Sequence, residues 1–499
     1  MGVPSVRTVG FSLPAGAFIA PVQRIIAWFK GQGNLLGASI MAVKLIFFFD
    51  SEDYETPAAD DAEKWWAQTM TKHGITVCIN VVGELARALC QRGRQDVIAA
   101  MARHDIAYHS DMHSAYPTWA EYLDTLSWDE GVARVLHDEG KGIADVQETF
   151  GQRPRVWCKP GSSWGPQVAH AMVQMDVPVF CDAPFEISPG HPLWYDNCLF
   201  LTYHHHFDGY FEVPHSGRLE KMKQDFLALC DKHDGRYLAM FTHPCRLFTA
   251  QWSDTFSGGK NPPREQWKPC PLRPEQEIHE LQKDFDQFLG WVVQQPQVEL
   301  TTHRALLKEW QQPAVPWLNQ DEVRQVCARA VEFNYQSYKS NYLSPAEQFS
   351  VIVQAIANGK EGQQAPLSAR RLLGPTVSPS QQVATGKVSW REFINAARWA
   401  DDFCLRTRSV PAVIPLGDTA VGPNAFMQAA ARVLNQQEIP STVDVEPVSE
   451  YPAITQRHDF VRQRFKNSWS ELSPDFEGLN VLEMIRLQAW TVKPAVTTR

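Results

Sequence analysis

From residue 43 to about residue 310 the chain alternates short apolar runs with stretches of helical period. VKLIFFFD opens the series as a buried-strand pattern that ends in a carboxylate, Asp50. Apolar residues then recur at helical spacing from Ala59 to His73, Trp65 and Trp66 among them. ITVCINVVG is β-rich and closes on Gly83. ELARALCQRG and QDVIAAMARH read as helices, and DIAYHSDMH reads as a strand running into two histidines. LSWDEGVARVLHDEGKGIADVQETFG is a long helical pattern with Ser127 as its N-cap and Gly151 at its end. Strands alternating with helices predict a parallel α/β architecture. Such folds place their chemistry at the C-terminal ends of strands.

The pattern changes after VELTTHRALLKEW. Gln311 to Trp317 is a Pro- and Gln-rich junction, and the chain from Asn319 onward reads as helical. DEVRQVCARAVEFNYQSY repeats at helix spacing. SPAEQFSVIVQAIANG opens with Ser344 as N-cap, Pro345 at the first helical position and Glu347 completing a capping box. Gly362 to Gly386 is a Gln-, Pro- and Ser-rich loop. SWREFINAARWADDFCLRT repeats the capping device with Ser389 and Glu392, and a short extended piece leads into a last helix, FMQAAARVL. These readings divide the chain into a catalytic α/β domain over 41–311 and an all-helical domain over 316–499, which serves binding or homo-oligomerisation.

Residues 1–40 stand apart. Arg7 precedes GFSLPAGAFIAPV, an apolar stretch that is short, broken by Pro14 and soon followed by Arg24, with Met41 directly before the first strand. The reading starts the native chain at Met41 and treats 1–40 as a poorly ordered or non-native leader; a signal peptide is the alternative. Composition adds exclusions. With 499 residues the chain is long enough for two or three domains, and its hydrophobic content of 44% includes no run of membrane-spanning length. A net charge of −9 without a basic block excludes a nucleic-acid or anionic-membrane partner. Ten Cys without CxxC pairs read as buried free thiols of a reducing compartment, hence a cytoplasmic protein.

Chemistry concentrates in two places. His109 and His113 lie four apart at the end of one strand, and Asp50-Ser51-Glu52-Asp53 ends another. A carboxylate with two imidazoles leaves open positions on a divalent metal, which suits hydrolysis. Zinc is the first choice; cobalt, nickel or manganese would also suit this nitrogen and oxygen set. Tyr203-His204-His205-His206 is not read as a cluster for one metal, because adjacent strand residues point apart. Trp157, Trp164, Trp194 and Trp252 could stack on sugar rings, but large aromatics are more often core.

This order of motifs resembles the polysaccharide deacetylases, carbohydrate esterase family four, over about Met41 to Trp310. HSDMHS (His109 to Ser114) is similar to the family's His-Ser/Thr-x-x-x-His-Ser motif. WCKPGSSWG stands where its Arg-x-Pro-x-Gly lies, VFCDAP around Asp182 matches its aromatic-Asp segment, and YLAMFTHP puts His243 at the place of its late-strand His. The resemblance implies a distorted (β/α) barrel. It implies Asp50 as general base, Glu52 or Asp53 as third metal ligand beside His109 and His113, and His243 as general acid. Asp182 and Lys159 join the catalytic set; Lys159, or a displaced Arg155, stands in for the Arg that holds the base. Lys gives a point charge where Arg gives a fork. The implied activity is hydrolysis of an amide C–N bond, removing N-acetyl from an amino sugar or polysaccharide. Allantoinase-like hydrolysis of a small non-sugar amide and non-catalytic carbohydrate or cell-wall binding are the alternatives. DSED in place of the usual Asp-Asp-Gly bears on the substrate more than on the chemistry. Residues 387–435 weakly resemble a pseudomurein-binding repeat.

Overall fold

The computed structural model describes residues 42–497, apart from 185–186, 188–190, 234, 252–263, 313, 360–365, 380–385, 458 and 467–471. The leader 1–40 and Trp252 lie outside the described residues. Its frame is one eleven-stranded sheet. The strands are β1 (Val43–Ser51), β2 (Cys78–Val81), β3 (Asp105–Tyr108), β4 (Val156–Trp157), β5 (Val179–Phe180), β6 (Leu193–Tyr195), β7 (Cys198–Phe200), β8 (His205–His206), β9 (Tyr237–Thr242) and β10 (Val298–Leu300), with a terminal strand Lys493–Pro494. The hydrogen-bonded order runs terminal strand, β6, β7, β5, β4, β3, β2, β1, β9, β8, and β10 pairs with the start of β1. From β5 through β9 the neighbours β5–β4–β3–β2–β1–β9 are parallel, as the strand–helix alternation predicts.

The expected barrel does not close. β8 stands at one end of the path. The other end carries the β6–β7 hairpin, whose β7 pairs in parallel with β5, and the terminal strand, antiparallel to β6. The two faces differ along every strand. Leu45, Phe47 and Phe49 pack outward with Val77, Ile79, Ile106 and Trp157 under the surrounding helices. Ile46, Phe48, Cys78, Ala107, Val156, Val179 and Ala239 form an inner face that also takes Leu306 of the helix His303–Glu309. This period of two is that of a strand buried on both sides.

The second half corrects the all-helical expectation. Two of its helices begin where the capping boxes mark them: Pro345–Ala357 at Ser344 and Trp390–Thr407 at Ser389, each box with both hydrogen bonds made. Interspersed with the helices are four two-stranded ribbons, Trp317–Leu318 with Leu367–Ser368, Gln336–Tyr338 with Asn341–Leu343, Gly386–Ser389 with Thr442–Val445, and Ile414–Leu416 with Thr419–Val421. The run expected as one helix through Tyr338 stops at Arg329, and Phe333 turns left-handed (φ 43°), which ends helical propagation and starts a hairpin. Gly417 (φ 58°) supplies the corresponding turn in the last ribbon. Residues 318–445 enclose a core of their own, to which Trp490 is added. Val461, Phe465, Val481 and Ile485 join the core of the sheet. No helix among the described residues is long and apolar enough to cross a membrane.

Candidate metal centre

The inner face of the sheet dictates the site. Residues two apart on a strand share a face. Asp50 therefore follows Ile46 and Phe48, Asn80 follows Cys78, and His109 follows Ala107; Cys158 follows Val156, Cys181 follows Val179, and His243 follows Phe241. All fall at or just beyond the C-terminal ends of parallel strands. Register then pairs them: Asp50 lies opposite Asn80, whose side-chain amide donates to Asp50 Oδ1 at 2.7 Å.

Beyond β1 the chain turns Glu52 toward the two histidines. Its Oε2 lies 2.9 Å from His113 Nε2 and 3.5 Å from His109 Nε2, with all three side chains buried. One donor atom from each of Glu52, His109 and His113 falls within 4.8 Å of the others, as one ion requires. Asp53 goes elsewhere: its Oδ1 accepts the backbone N–H groups of Glu55 and Thr56 at 3.1 and 2.9 Å, fastening the turn after the strand. Of the two acids between which the sequence could not choose, Glu52 is the one gathered with the histidines.

His243 enters from the end of β9. Its Nε2 stands 4.0 Å from Asp50 Oδ2 and 3.9 Å from Glu52 Oε2, and its Nδ1 is 2.5 Å from Asp208 Oδ2. Burial alone would discharge this imidazole, but Asp208, Glu52 and Asp50 together push it up to about 10, so it stands as imidazolium at neutral pH. Burial likewise opposes the charge on Glu52, yet His113 and His243 hold its carboxyl well below the usual range. Asp208 is held below its usual value against burial by His243.

Lys159 and Asp182 contact each other rather than Asp50. Burial raises the Asp182 carboxyl despite the Lys159 charge. Lys159 is raised above its usual value because Asp182 outweighs its own burial. Arg155, the other candidate for the missing fork, pairs with Asp176 on a more exposed part of the surface. Cys158 lies closer to the centre. Asp50, His109 and Cys158 also bring one donor atom each within 4.8 Å. Trp157, Trp164 and Trp194 are buried in the core. His204 Nδ1 accepts from Ala239 N–H at 3.0 Å, and His205 Nε2 is 2.9 Å from Tyr210 Oη.

The sequence reading passed over Asn80, Asp208, Cys158 and Glu139. Asn80 carried a signal, as the single amide inside the apolar run ITVCINVV. Asp208 and Glu139 carried none, for each is defined by a partner remote in sequence. Glu139 accepts from Tyr108 Oη (2.6 Å), Trp119 Nε1 (2.7 Å) and the Asp111 N–H (2.9 Å), so it holds the loop between the two histidines.

No family model matches the sequence, and no curated protein matches it significantly. Solved structures do. A Mycobacterium smegmatis protein assigned to the polysaccharide deacetylases superposes with a TM-score of 0.35 at 13% identity, over 55% of this chain and 91% of its own. A peptidoglycan deacetylase of Bacillus subtilis gives 0.30 at 12% identity, over 53% of this chain and 90% of its own. A carbohydrate esterase family four pseudoenzyme of Bacillus anthracis gives 0.32 at 11% identity, over 54% of this chain and 66% of its own.

Proposed function

We propose that this chain is a metal-dependent hydrolase of amide C–N bonds, an N-deacetylase of an amino sugar or its polymer. The observation that carries the reading is the meeting of two sets at the C-terminal ends of β1, β3 and β9. Glu52, His109 and His113 form a buried carboxylate–imidazole cluster, and Asp50 and His243 flank it within 4.0 Å of each other. The donor chemistry fits a divalent ion: an ionised carboxylate and two imidazoles supply three ligands and leave coordination positions open. Such an ion, when bound, supplies the Lewis acidity that polarises the scissile carbonyl and makes water a better nucleophile at neutral pH.

The chain's own residues divide the proton work. Asp50, oriented by Asn80, accepts a proton from the attacking water as oxygen bonds to the amide carbon. His243, held by Asp208 and charged at neutral pH, gives its Nε2 proton to the nitrogen as the C–N bond breaks. The products are a carboxylate and a free amine. The Lys159–Asp182 pair borders the same face beside Cys158 and positions substrate there. The sugar substrate comes from the motif resemblance of residues 41–310.

Elemental analysis beside turnover on N-acetylated amino-sugar oligomers tests this. The purified chain should hold about one divalent ion, zinc first. His109→Ala and His113→Ala should lose metal and activity together. Asp50→Asn and His243→Ala should keep metal while the rate falls about 10²–10⁴-fold. Stoichiometric metal in both histidine variants would sink the reading.

A further inference from the structure

The inner-face parity that brings Asp50 and His109 together also brings a thiol. Cys158 is the residue directly after β4, fully buried. The donor atoms of Asp50, His109 and Cys158 lie within 4.8 Å of one another, all three residues at most 4% exposed. The Cys158 thiol makes long contacts to Lys159 O (3.7 Å) and Asp182 Oδ2 (3.8 Å), and it interacts with the His109 ring and the Cys181 thiol beside it. Lys159 is drawn to Asp182. His109, 1% exposed, turns Nε2 to Glu52, and its Nδ1 has no hydrogen-bond partner. A ligating histidine ordinarily donates its other ring N–H to a carboxylate, carbonyl or water. An unsatisfied buried imidazole nitrogen beside a carboxylate and a thiol is a cluster short of a partner.

We propose that Asp50, His109 and Cys158 form a second metal position, overlapping the first through His109, that takes a thiophilic divalent ion such as Cd²⁺. The thiol selects the class of ion, since thiolate sulfur favours soft and borderline metals over Mg²⁺, Ca²⁺ or Mn²⁺. Binding displaces the thiol proton to solvent, and the thiolate forms the metal–sulfur bond. An ion there ties up Asp50, so this position is inhibitory where the Glu52–His109–His113 position supports hydrolysis. The proposal borrows His109 from that reading and stands whether or not the chain hydrolyses an amide.

Ultraviolet titration of the metal-free full chain with Cd²⁺ tests it. Cys90, the exposed cysteine, is changed to Ser in every sample. The parent should develop a thiolate-to-cadmium charge-transfer band. The band should persist in His113→Ala, which removes a donor of the first position alone, and in Cys181→Ser, the neighbouring inner-face thiol. It should vanish in Cys158→Ser and Cys158→Ala, while both still bind Zn²⁺ at about one ion per chain through the other donors. A band missing from the parent, surviving in the Cys158 variants or lost in Cys181→Ser overturns the proposal. If the Cys158 variants do not fold, cadmium-edge X-ray absorption of the parent and of His113→Ala decides it. A sulfur neighbour in both supports the position; nitrogen and oxygen alone refute it. A parent that gives the band but no activity and no zinc in the first position removes the hydrolase reading and leaves this one.

Discussion

Single residues decide which carboxylate does which work. Asp50 is the last acid whose position follows from strand parity. Glu52 and Asp53 lie past the end of regular pairing, where period two no longer assigns a face, so the sequence left them equivalent. The backbone turn separates them, because Asp53 is committed to the N–H groups of Glu55 and Thr56. Glu52→Gln should therefore cost the ion, measured by elemental analysis. Asp53→Asn should keep it and lose only some stability of the turn. Metal loss in Asp53→Asn with retention in Glu52→Gln would reverse the assignment. Asp208 is the residue that no sequence motif marked, yet it fixes His243 through Nδ1. Asp208→Asn should leave metal content intact and lower kcat about 10²–10⁴-fold, because the imidazole loses both the partner that sets its tautomer and the charge that keeps it protonated. The alkaline limb of the kcat profile should move to lower pH in this variant; an unmoved limb would assign Asp208 a purely structural role.

At the scale of elements, the two histidines depend on a loop built against backbone preference. Ser110 and His113 both have positive φ (64° and 51°), a conformation that only tight surroundings maintain in non-glycine residues. The helix Trp128–Phe150 supplies those surroundings: Glu139 holds the Asp111 N–H and Tyr108 Oη, and Gly142 lets Asp111 approach. A Cβ at Gly142 would stand 2.3 Å from Tyr108 Oη and 2.7 Å from Asp111 Oδ1, and Tyr108 cannot yield without breaking its bond to Glu139. Gly142→Ala should destabilise by roughly 1–3 kcal/mol in denaturant melts and weaken zinc binding in the folded protein. Unchanged zinc affinity would show that the loop holds its shape unaided. The helix itself was legible from Ser127 and Gly151, whereas its duty toward the histidine loop was not. A neighbouring helix, Ala59–Lys72, carries a second hidden device. Glu63 accepts from Ser51 Oγ at 2.7 Å, and burial pushes its carboxyl up to about 8 despite that bond. A carboxyl whose folded value lies above its unfolded one, near 4.5, gives stability that is complete below about pH 4.5 and is lost as pH rises through about 8. The metal-free protein should thus lose denaturant resistance between about pH 4.5 and 8, and Glu63→Gln should flatten that slope. An equal slope in both would place the titration elsewhere.

Across the whole molecule, local periodicity described the parallel sheet well because neighbouring strands follow one another in sequence from β1 to β5. It described the far end badly. The terminal strand has two residues, Lys493 and Pro494, without apolar alternation, and its partner β6 lies some 300 residues earlier. Only the fold makes that pairing. Other bonds knit the same return. Tyr195 Oη donates to Ile485 O at 3.0 Å, Asp196 N–H to Thr491 Oγ1 at 2.8 Å, and Asn480 N–H to Asp124 Oδ1 at 2.7 Å. The strongest is ionic. Lys493 Nζ lies 2.6 Å from Glu347 Oε1, with side chains 5% and 3% exposed, joining the terminal strand to the first turn of helix Pro345–Ala357. Glu347 uses its other oxygen to accept the Ser344 N–H at 2.8 Å, so the capping box visible in the sequence also anchors a buried ion pair that was not. Removing one partner of such a pair leaves a charge without compensation and costs about 3–5 kcal/mol, whereas replacing both can be nearly neutral. Lys493→Met should therefore lower the unfolding free energy by that amount. Lys493→Met with Glu347→Gln should recover most of it, since the amide oxygen still caps the helix. Zinc content should stay constant in both variants wherever they remain folded, because the proposed donors, Glu52, His109 and His113, all lie far from this pair in sequence. If the single and double variants are equally destabilised, the pair's charge is not what matters. If the folded single variant loses its ion, the return of the chain to β6 shapes the centre as well as the core.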